Sequence, residues 1–262
     1  MELAGKTVVL TGATSGIGLA TAQRLAGRVG LLILHGIEPS SPLPPRNDVA
    51  YFRADFSSLE AVAGLASRIR GIARHIDILV NNAARPGPPH RTIASSGFEL
   101  TFQTNYLATV ALTRLLGEPD RIVNVASATH LSATLDPDDV NLARHRYAPG
   151  TAYAQSKLAL VTETCRLAGT LQKTTRTAVS VHPGIVSTAL LHAMFSIRGD
   201  DPQHAAGNLL HVIGEDYDNG TYYDESTPAA PNPTATAPAF QRALFELTEA
   251  ALNGVAPGAR SS

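Results

Sequence analysis

The sequence predicts an α/β fold, a doubly wound parallel sheet with helices on both faces in a single domain. Short apolar, β-branched runs end at Leu10, Leu34, Ala54, Val80, Val125 and Val181. Most are followed by a polar or glycine-bearing turn and then by apolar residues at helical spacing. A chain of 262 residues with 44% hydrophobic side chains suffices for one large core of this kind. Strand alternating with helix implies parallel pairing, because parallel neighbours need a crossover connection.

In chain order, Thr7 to Leu10 is the first strand, Gly12 opens a glycine-rich turn, and Ile17 to Leu25 has helical periodicity. Further helices are expected at Leu59 to Arg70, Phe98 to Leu116, Thr151 to Leu171 and Gln203 to Ile213. The prolines of Pro39 to Pro45 forbid a helix, and this stretch and Pro228 to Pro238 read as surface loops. Residues 1–255 are expected to form the domain. Residues 256–262, with Pro, Gly and Ser and no apolar periodicity, are expected to be a flexible tail.

Composition narrows the function. The balance of 21 basic and 22 acidic residues provides no field of one sign to hold nucleic acid or an anionic bilayer, so a small-molecule substrate is favoured. Cys165 is the only cysteine, which excludes an intrachain disulfide and a zinc site of several thiolates and fits a reducing cytoplasm. The N-terminus lacks a signal-peptide apolar region and no run approaches 18 apolar residues, so the expectation is a soluble cytoplasmic protein. No Gly-x-Ser-x-Gly elbow or His-Glu-x2-His pair occurs and the nine histidines are scattered, so no metal is expected.

The turn Thr11-Gly12-Ala13-Thr14-Ser15-Gly16-Ile17-Gly18 lies between strand and helix. Small residues there let the backbone approach a pyrophosphate while helix N-terminal amides point at it, which implies a dinucleotide. Tyr153 and Lys157 stand four apart on an expected helix, so their side chains leave one face one turn apart. An ammonium near a phenol is a physical means of favouring the phenolate. Only three lysines occur, Lys6, Lys157 and Lys173, so this pair is no accident of a lysine-rich surface.

The Thr-Gly-x3-Gly-x-Gly spacing together with the Tyr-x3-Lys pair resembles the short-chain dehydrogenase/reductase family, and the resemblance covers nearly the whole chain. It implies a Rossmann-type domain and an NAD(P)(H)-dependent oxidoreductase. Gly12, Thr14, Ser15, Gly16, Ile17 and Gly18 match the family's cofactor turn. Asp55 matches the position that meets the adenine amino group, with Phe56 beside it; capping of the next helix is the other reading of Asp55. Asn81-Asn82-Ala83-Ala84 is similar to the family's Asn-Asn-Ala-Gly element. By that likeness Asn82 and Ala83 line the adenosine ribose and Asn81 holds adjacent strands together. Ser127 matches the serine that polarises the substrate oxygen, and Asn105 the asparagine of the proton relay; a turn residue and a helix-kinking amide are their other readings. Pro183, Gly184, Val186 and Thr188 resemble the segment that closes over the nicotinamide. Gly220 to Asp224 and Leu244 to Leu247 are similar to the retinol-dehydrogenase-like, NADP-dependent branch.

The chain also departs from the family. At the end of the second strand, where an Asp serves NAD or a following Arg serves NADP, it reads His35-Gly36-Ile37. His35 or Arg46 is left to reach a phosphate, and the missing carboxylate favours NADP(H) slightly over NAD(H). The helix after Asn105 meets Gly117 and Pro119 early, and because relatives use that helix for dimer contacts, a homo-oligomer is left open. A loop about Leu131 to Tyr147 is expected to overhang the pocket. Ala189 to Phe195, in a lid of about 189–200, reads either as an apolar cover over an apolar or polycyclic substrate or as an amphipathic helix packed on the core. The proposed reaction is hydride transfer between nicotinamide and a carbonyl or secondary alcohol, with Ser127, Tyr153, Lys157 and Asn105 as the catalytic set. A catalytically weak nucleotide-binding regulatory protein on the same fold is the alternative, and a sugar-nucleotide epimerase is disfavoured by the glycine spacing.

Overall fold

The computed structural model describes residues 2–117, 119–194, 197–215, 218–253 and 255; the expected tail at 256–262 lies outside them. Strands β1 (Thr7–Leu10), β2 (Leu31–Gly36), β3 (Val49–Arg53), β4 (Ile78–Asn81), β5 (Arg121–Val125), β6 (Thr177–His182), β7 (Tyr222–Asp224) and β8 (Thr227–Ala229) form one sheet. Its order is β3-β2-β1-β4-β5-β6-β7-β8, and every pair is parallel except β7 with β8. The central strands are buried on both faces, which is why they read as continuous apolar runs without alternation.

The helices are α1 (Gly16–Leu25), α2 (Leu59–Ile72), α3 (Leu100–Phe102), α4 (Ala108–Leu115), α5 (Pro149–Leu171), α6 (Ala189–Met194), α7 (Pro202–Gly214), α8 (Pro233–Thr236) and α9 (Pro238–Leu252). One apolar cluster joins Ala22 and Leu25 of α1 and Leu209 of α7 to one face of the sheet. The other joins residues of α2, α4, α5 and α9 to the opposite face. Chain order reverses between β1 and β4, and the crevice beyond their carboxyl ends is where open α/β sheets bind ligands.

The segment expected as one helix from Phe98 to Leu116 is three pieces. Glu99 delays the start to Leu100, its carboxylate accepting from the backbone amides of Thr101 and Phe102 (both 2.9 Å). A π-helical turn, Gln103–Leu107, then separates α3 from α4, with the Ala108 amide reaching back to the Gln103 carbonyl. Such insertions occur frequently at functional sites. Helix α9 lies across α4 and α5: Arg114 of α4 pairs with Glu249 at 2.6 Å, the Arg166 guanidinium sits 4.5 Å from the centroid of Phe245, and the Tyr106 and Thr248 hydroxyls meet at 2.7 Å.

The stretch Pro228 to Pro238, expected as a surface loop, instead holds the end of β8, the short helix α8 and a buried tie. The Asn232 amide nitrogen donates to the carbonyls of His130, Leu131 and Ala133 at 2.9, 3.2 and 3.1 Å, and its oxygen accepts from the Thr234 amide. These bonds form only in the folded chain, so proline clustering could not reveal them. Asn232→Ala leaves three carbonyls to find new partners and should cost about 3 kcal/mol. A lowered urea midpoint at unchanged slope would show it, whereas an unmoved midpoint would mean that the tie is dispensable.

Candidate active site

Along the crevice runs a cavity of about 860 Å³, lined at one end by the glycine turn and at the other by Ser127, Tyr153, α6 and Ile197. Gly12 and Gly16 have φ of +66° and +51°, a region L side chains rarely adopt. A Cβ on Gly18 would stand 2.0 Å from the Gly12 carbonyl oxygen. Asn82 welds this turn to β4: its side-chain amide donates to the Thr11 and Gly12 carbonyls at 2.9 and 3.0 Å. The Thr11 hydroxyl accepts from the amides of Asn82 and Ala83 (both 3.0 Å). Thr14, Ser15 and Ile17 complete the rim where α1 begins, its first-turn amides free to meet a pyrophosphate. The empty Cβ space and these amides fit a dinucleotide.

At the end of β2 the structure corrects one expectation. His35 is buried and stacked on Phe56 at 4.4 Å, its Nε2 donates to the Ala54 carbonyl (3.1 Å), and its Nδ1 faces the Gly12 amide at 3.4 Å. Burial lowers its pKa to about 4, so the ring is neutral and locked in place, a wall of the cavity and no phosphate ligand. Arg46 is spent on Asp48 at 2.8 Å, outside the cavity lining. Gly36 has a physical reason for lacking a carboxylate: a Cβ there would stand 2.4 Å from the Thr14 methyl. Arg53, which sequence reasoning passed over, donates from Nε to the Ile37 carbonyl at 2.8 Å and sets a guanidinium at this strand end. Asp55 lines the cavity and accepts from the Ser57 amide (2.8 Å), while Ser58 caps α2, so the helix-cap reading of Asp55 falls to its neighbour.

Tyr153 and Lys157 project from α5 into the other end, both buried, the ammonium 5.6 Å from the phenol ring centroid. Lys157 Nζ donates to the Val125 carbonyl at 2.7 Å. Burial pushes the Tyr153 phenol up to about 12, and the nearby Ser127 hydroxyl opposes this; burial lowers Lys157 to about 7. Desolvation therefore outweighs the expected help of the ammonium to the phenolate. Ser127 stands two residues beyond β5 in extended backbone, and its Oγ accepts from the Thr129 amide and hydroxyl at 3.3 and 3.1 Å.

Of the expected catalytic set, Asn105 alone does not line the cavity. It is fully buried in the π-helical turn, its oxygen accepting from the Arg85 amide (2.9 Å) and its nitrogen donating to the Arg85 carbonyl and the Ser156 hydroxyl (3.1 and 3.0 Å). All of its side-chain atoms are engaged, so it ties the β4 loop to α5. Asn81 donates to Asn124 and Thr113 at 2.8 and 3.1 Å and bridges β4 to β5, as the likeness implied.

Pro183, Gly184 (φ +107°), Val186 and Thr188 line the cavity after β6. After β6 the described residues 187–194 and 197–200 are closed off at their base, where Val186 bridges Asp200 and the Ser187 hydroxyl bonds both the amide and the carbonyl of Gly199. No residue of α6 is buried, and Leu190, Leu191 and Met194 line the cavity; residues 195 and 196 of the expected lid lie outside the described residues. The loop expected to overhang the pocket puts no residue from Leu131 to Tyr147 on the cavity lining and is pinned elsewhere: Asn141 accepts from the Glu99 amide (2.8 Å), and Tyr147 donates to the Glu99 carboxylate at 3.3 Å.

A switch-point crevice with a glycine-lined cradle at one end and a serine, a tyrosine and a lysine at the other defines a dinucleotide-dependent oxidoreductase. Residues 6–198 match the short chain dehydrogenase family profile. Retinol dehydrogenase 13 of Mus musculus is 34% identical over 92% of this chain and 82% of its own. DnrU of Streptomyces sp. strain C5, named for daunorubicin C-13 ketoreductase activity, is 38% identical over 72% of this chain and 68% of its own. A Mycobacterium paratuberculosis crystal structure superposes with a TM-score of 0.81 at 28% identity, covering 96% of this chain and 95% of that one. The chain belongs to the short-chain dehydrogenase family, and it is an NAD(P)-dependent oxidoreductase acting on a carbonyl or alcohol. The regulatory alternative is not favoured.

Proposed function

We propose that the protein interconverts an apolar, ring-bearing ketone or aldehyde and its alcohol, with NADP(H) preferred. One observation carries this reading: a single cavity joins the glycine cradle to Tyr153 and is roofed by Leu190, Leu191, Met194 and Ile197. An apolar roof excludes water from the reacting carbonyl and suits an apolar body. The names of the relatives, retinol and daunorubicin, support that class. The nicotinamide, when bound, supplies or accepts the hydride. Tyr153 gives its phenolic proton to the carbonyl oxygen, Ser127 hydrogen-bonds the same oxygen, and Lys157 governs how readily the phenol regains a proton. A single half-buried cysteine fits a reducing compartment, and the cytoplasm is the location we propose. Among the described residues no helix is long and apolar enough to cross a membrane.

The cofactor preference rests on a strand end that has no carboxylate, and beside it, outside the cavity lining, Arg53 sets a guanidinium held by the Ile37 carbonyl. Arg53→Gln should reduce the ratio of NADPH to NADH affinity by about ten-fold, the scale of one charge-assisted hydrogen bond. An unchanged ratio would show that another group reads the 2′-phosphate. The raised phenol gives a pH signature. With a pKa pushed up to about 12, Tyr153 itself holds its proton through neutrality, so any change in reductive kcat/KM from about pH 6 to about pH 9 should follow Lys157, lowered to about 7. Oxidation needs the deprotonated phenol, so oxidative kcat/KM should climb across the same range. A flat oxidative profile would remove Tyr153 from the proton transfer.

The overall test is to titrate the protein with NADPH and NADH, following nicotinamide fluorescence, and then to supply apolar ketones and aldehydes while reading reduced-cofactor absorbance. Consumption by any of them upholds the proposal, and tight binding without consumption across the panel counts against the substrate class.

A further inference from the structure

Arg85 has no role in the chemistry above, yet it lines the cavity. Among the described residues its guanidinium has no hydrogen bond and no carboxylate partner, and its Nε is buried without any acceptor. The main chain that carries it is rigid. Asn105 holds both the amide and the carbonyl of Arg85, and Ser156, which also bonds Asn105, donates to the Tyr153 carbonyl at 2.7 Å.

Two residues on, Gly87 packs so closely on Pro149, at the start of α5, that a Cβ would stand 2.4 Å from its carbonyl oxygen. The charge of Arg85 is felt at Tyr147, on the loop leading into α5. Arg85 thus belongs to the Tyr153 end of the cavity, away from the glycine cradle. The other lysine or arginine on the lining, Lys157, already donates to Val125, and His35 is neutral.

A guanidinium remains charged in proteins, and a partly buried charge with no counter-ion is an unfavourable arrangement that a ligand can relieve. Its planar fork of donors matches the two oxygens of a carboxylate. Resting on the oxidoreductase reading of this cavity, we infer that Arg85 is an anion subsite for the substrate, so that the ketone or alcohol handled here carries a carboxylate on its apolar body. The roof takes the apolar part and Arg85 the acidic end, which orients the carbonyl between Ser127 and Tyr153.

The test compares 4-oxo-4-phenylbutanoate with its methyl ester, which share a ketone and differ in charge. Wild-type protein should show kcat/KM for the acid at least ten-fold above that for the ester. Arg85→Gln should erase this ratio and Arg85→Lys should keep part of it, with the Kd for NADPH within two-fold in all three proteins. Equal kcat/KM for acid and ester in wild type, or a ratio that survives Arg85→Gln, overturns the inference. A loss of NADPH affinity in Arg85→Gln overturns it too, because the guanidinium then serves a cofactor phosphate.

If neither compound nor any other carbonyl consumes NADPH, the proposed function fails, and the subsite is judged separately by quenching of bound-NADPH fluorescence. Tighter binding of the acid in wild type, lost in Arg85→Gln, upholds the subsite, and equal binding of acid and ester overturns it.

Discussion

Tyr153→Phe is expected to lower turnover by about 10³-fold while the NADPH dissociation constant stays within about two-fold of wild type. The substitution removes one oxygen from a ring that is almost wholly buried, so packing is kept and only the proton donor is lost. Ser127 and Lys157 keep their own partners, Thr129 and Val125, and the cavity keeps its shape. Single-turnover reduction by pre-bound NADPH isolates the chemical step. Residual turnover within ten-fold of wild type would mean that another group or a water protonates the oxygen. Unchanged turnover would refute the assignment.

The second large effect belongs to Gly18. Its added Cβ in Gly18→Ala would meet the Gly12 carbonyl oxygen at 2.0 Å and the Asn82 side-chain nitrogen at 2.6 Å. The first is backbone in a turn at positive φ, and the second is held by two carbonyls, so neither yields cheaply. Helix α1 must move away from the turn, taking with it the amides expected to hold the pyrophosphate. NADPH affinity should fall by about 100-fold or more, with stability reduced by about 1–3 kcal/mol. Gly64→Ala is the control, since nothing lies within 4 Å of its added Cβ and α2 gains a better helix former. If both alanine variants bind NADPH alike, close packing at Gly18 does not shape the cradle.

What could be read from the sequence was what depends on neighbours in the chain. The turn from Gly12 to Gly18 was legible because positive φ and close approach leave glycine as the low-strain choice at fixed spacing. Tyr153 and Lys157 were legible because four residues make one helical turn. The strand runs were legible because parallel strands buried on both faces are uniformly apolar.

Failures came where a partner distant in sequence decides. His35 was offered as a phosphate ligand because its letter allows a charge, but Phe56 and Ala54 bury it as a neutral ring. Asn105 was placed beside the chemistry, whereas Arg85 and Ser156 take up its side chain. The Asn232 tie spans a hundred residues, and no local pattern announces it. Arg85 itself stands directly after the Asn-Asn-Ala-Ala element, a charge beside an apolar motif, and that contrast was the signal available.

The position of α8 and α9 against α5 bears on how the chain reaches its working form. The helix bearing Tyr153 and Lys157 buries part of its surface on Ala235, Leu244 and their neighbours, which leave the ribosome long after it does. During synthesis α5 therefore waits with an apolar side uncovered, and the face of the helix opposite its catalytic side chains is packed last. A nascent chain halted before Pro233 would carry every catalytic letter and yet lack part of the packing that holds the helix bearing them.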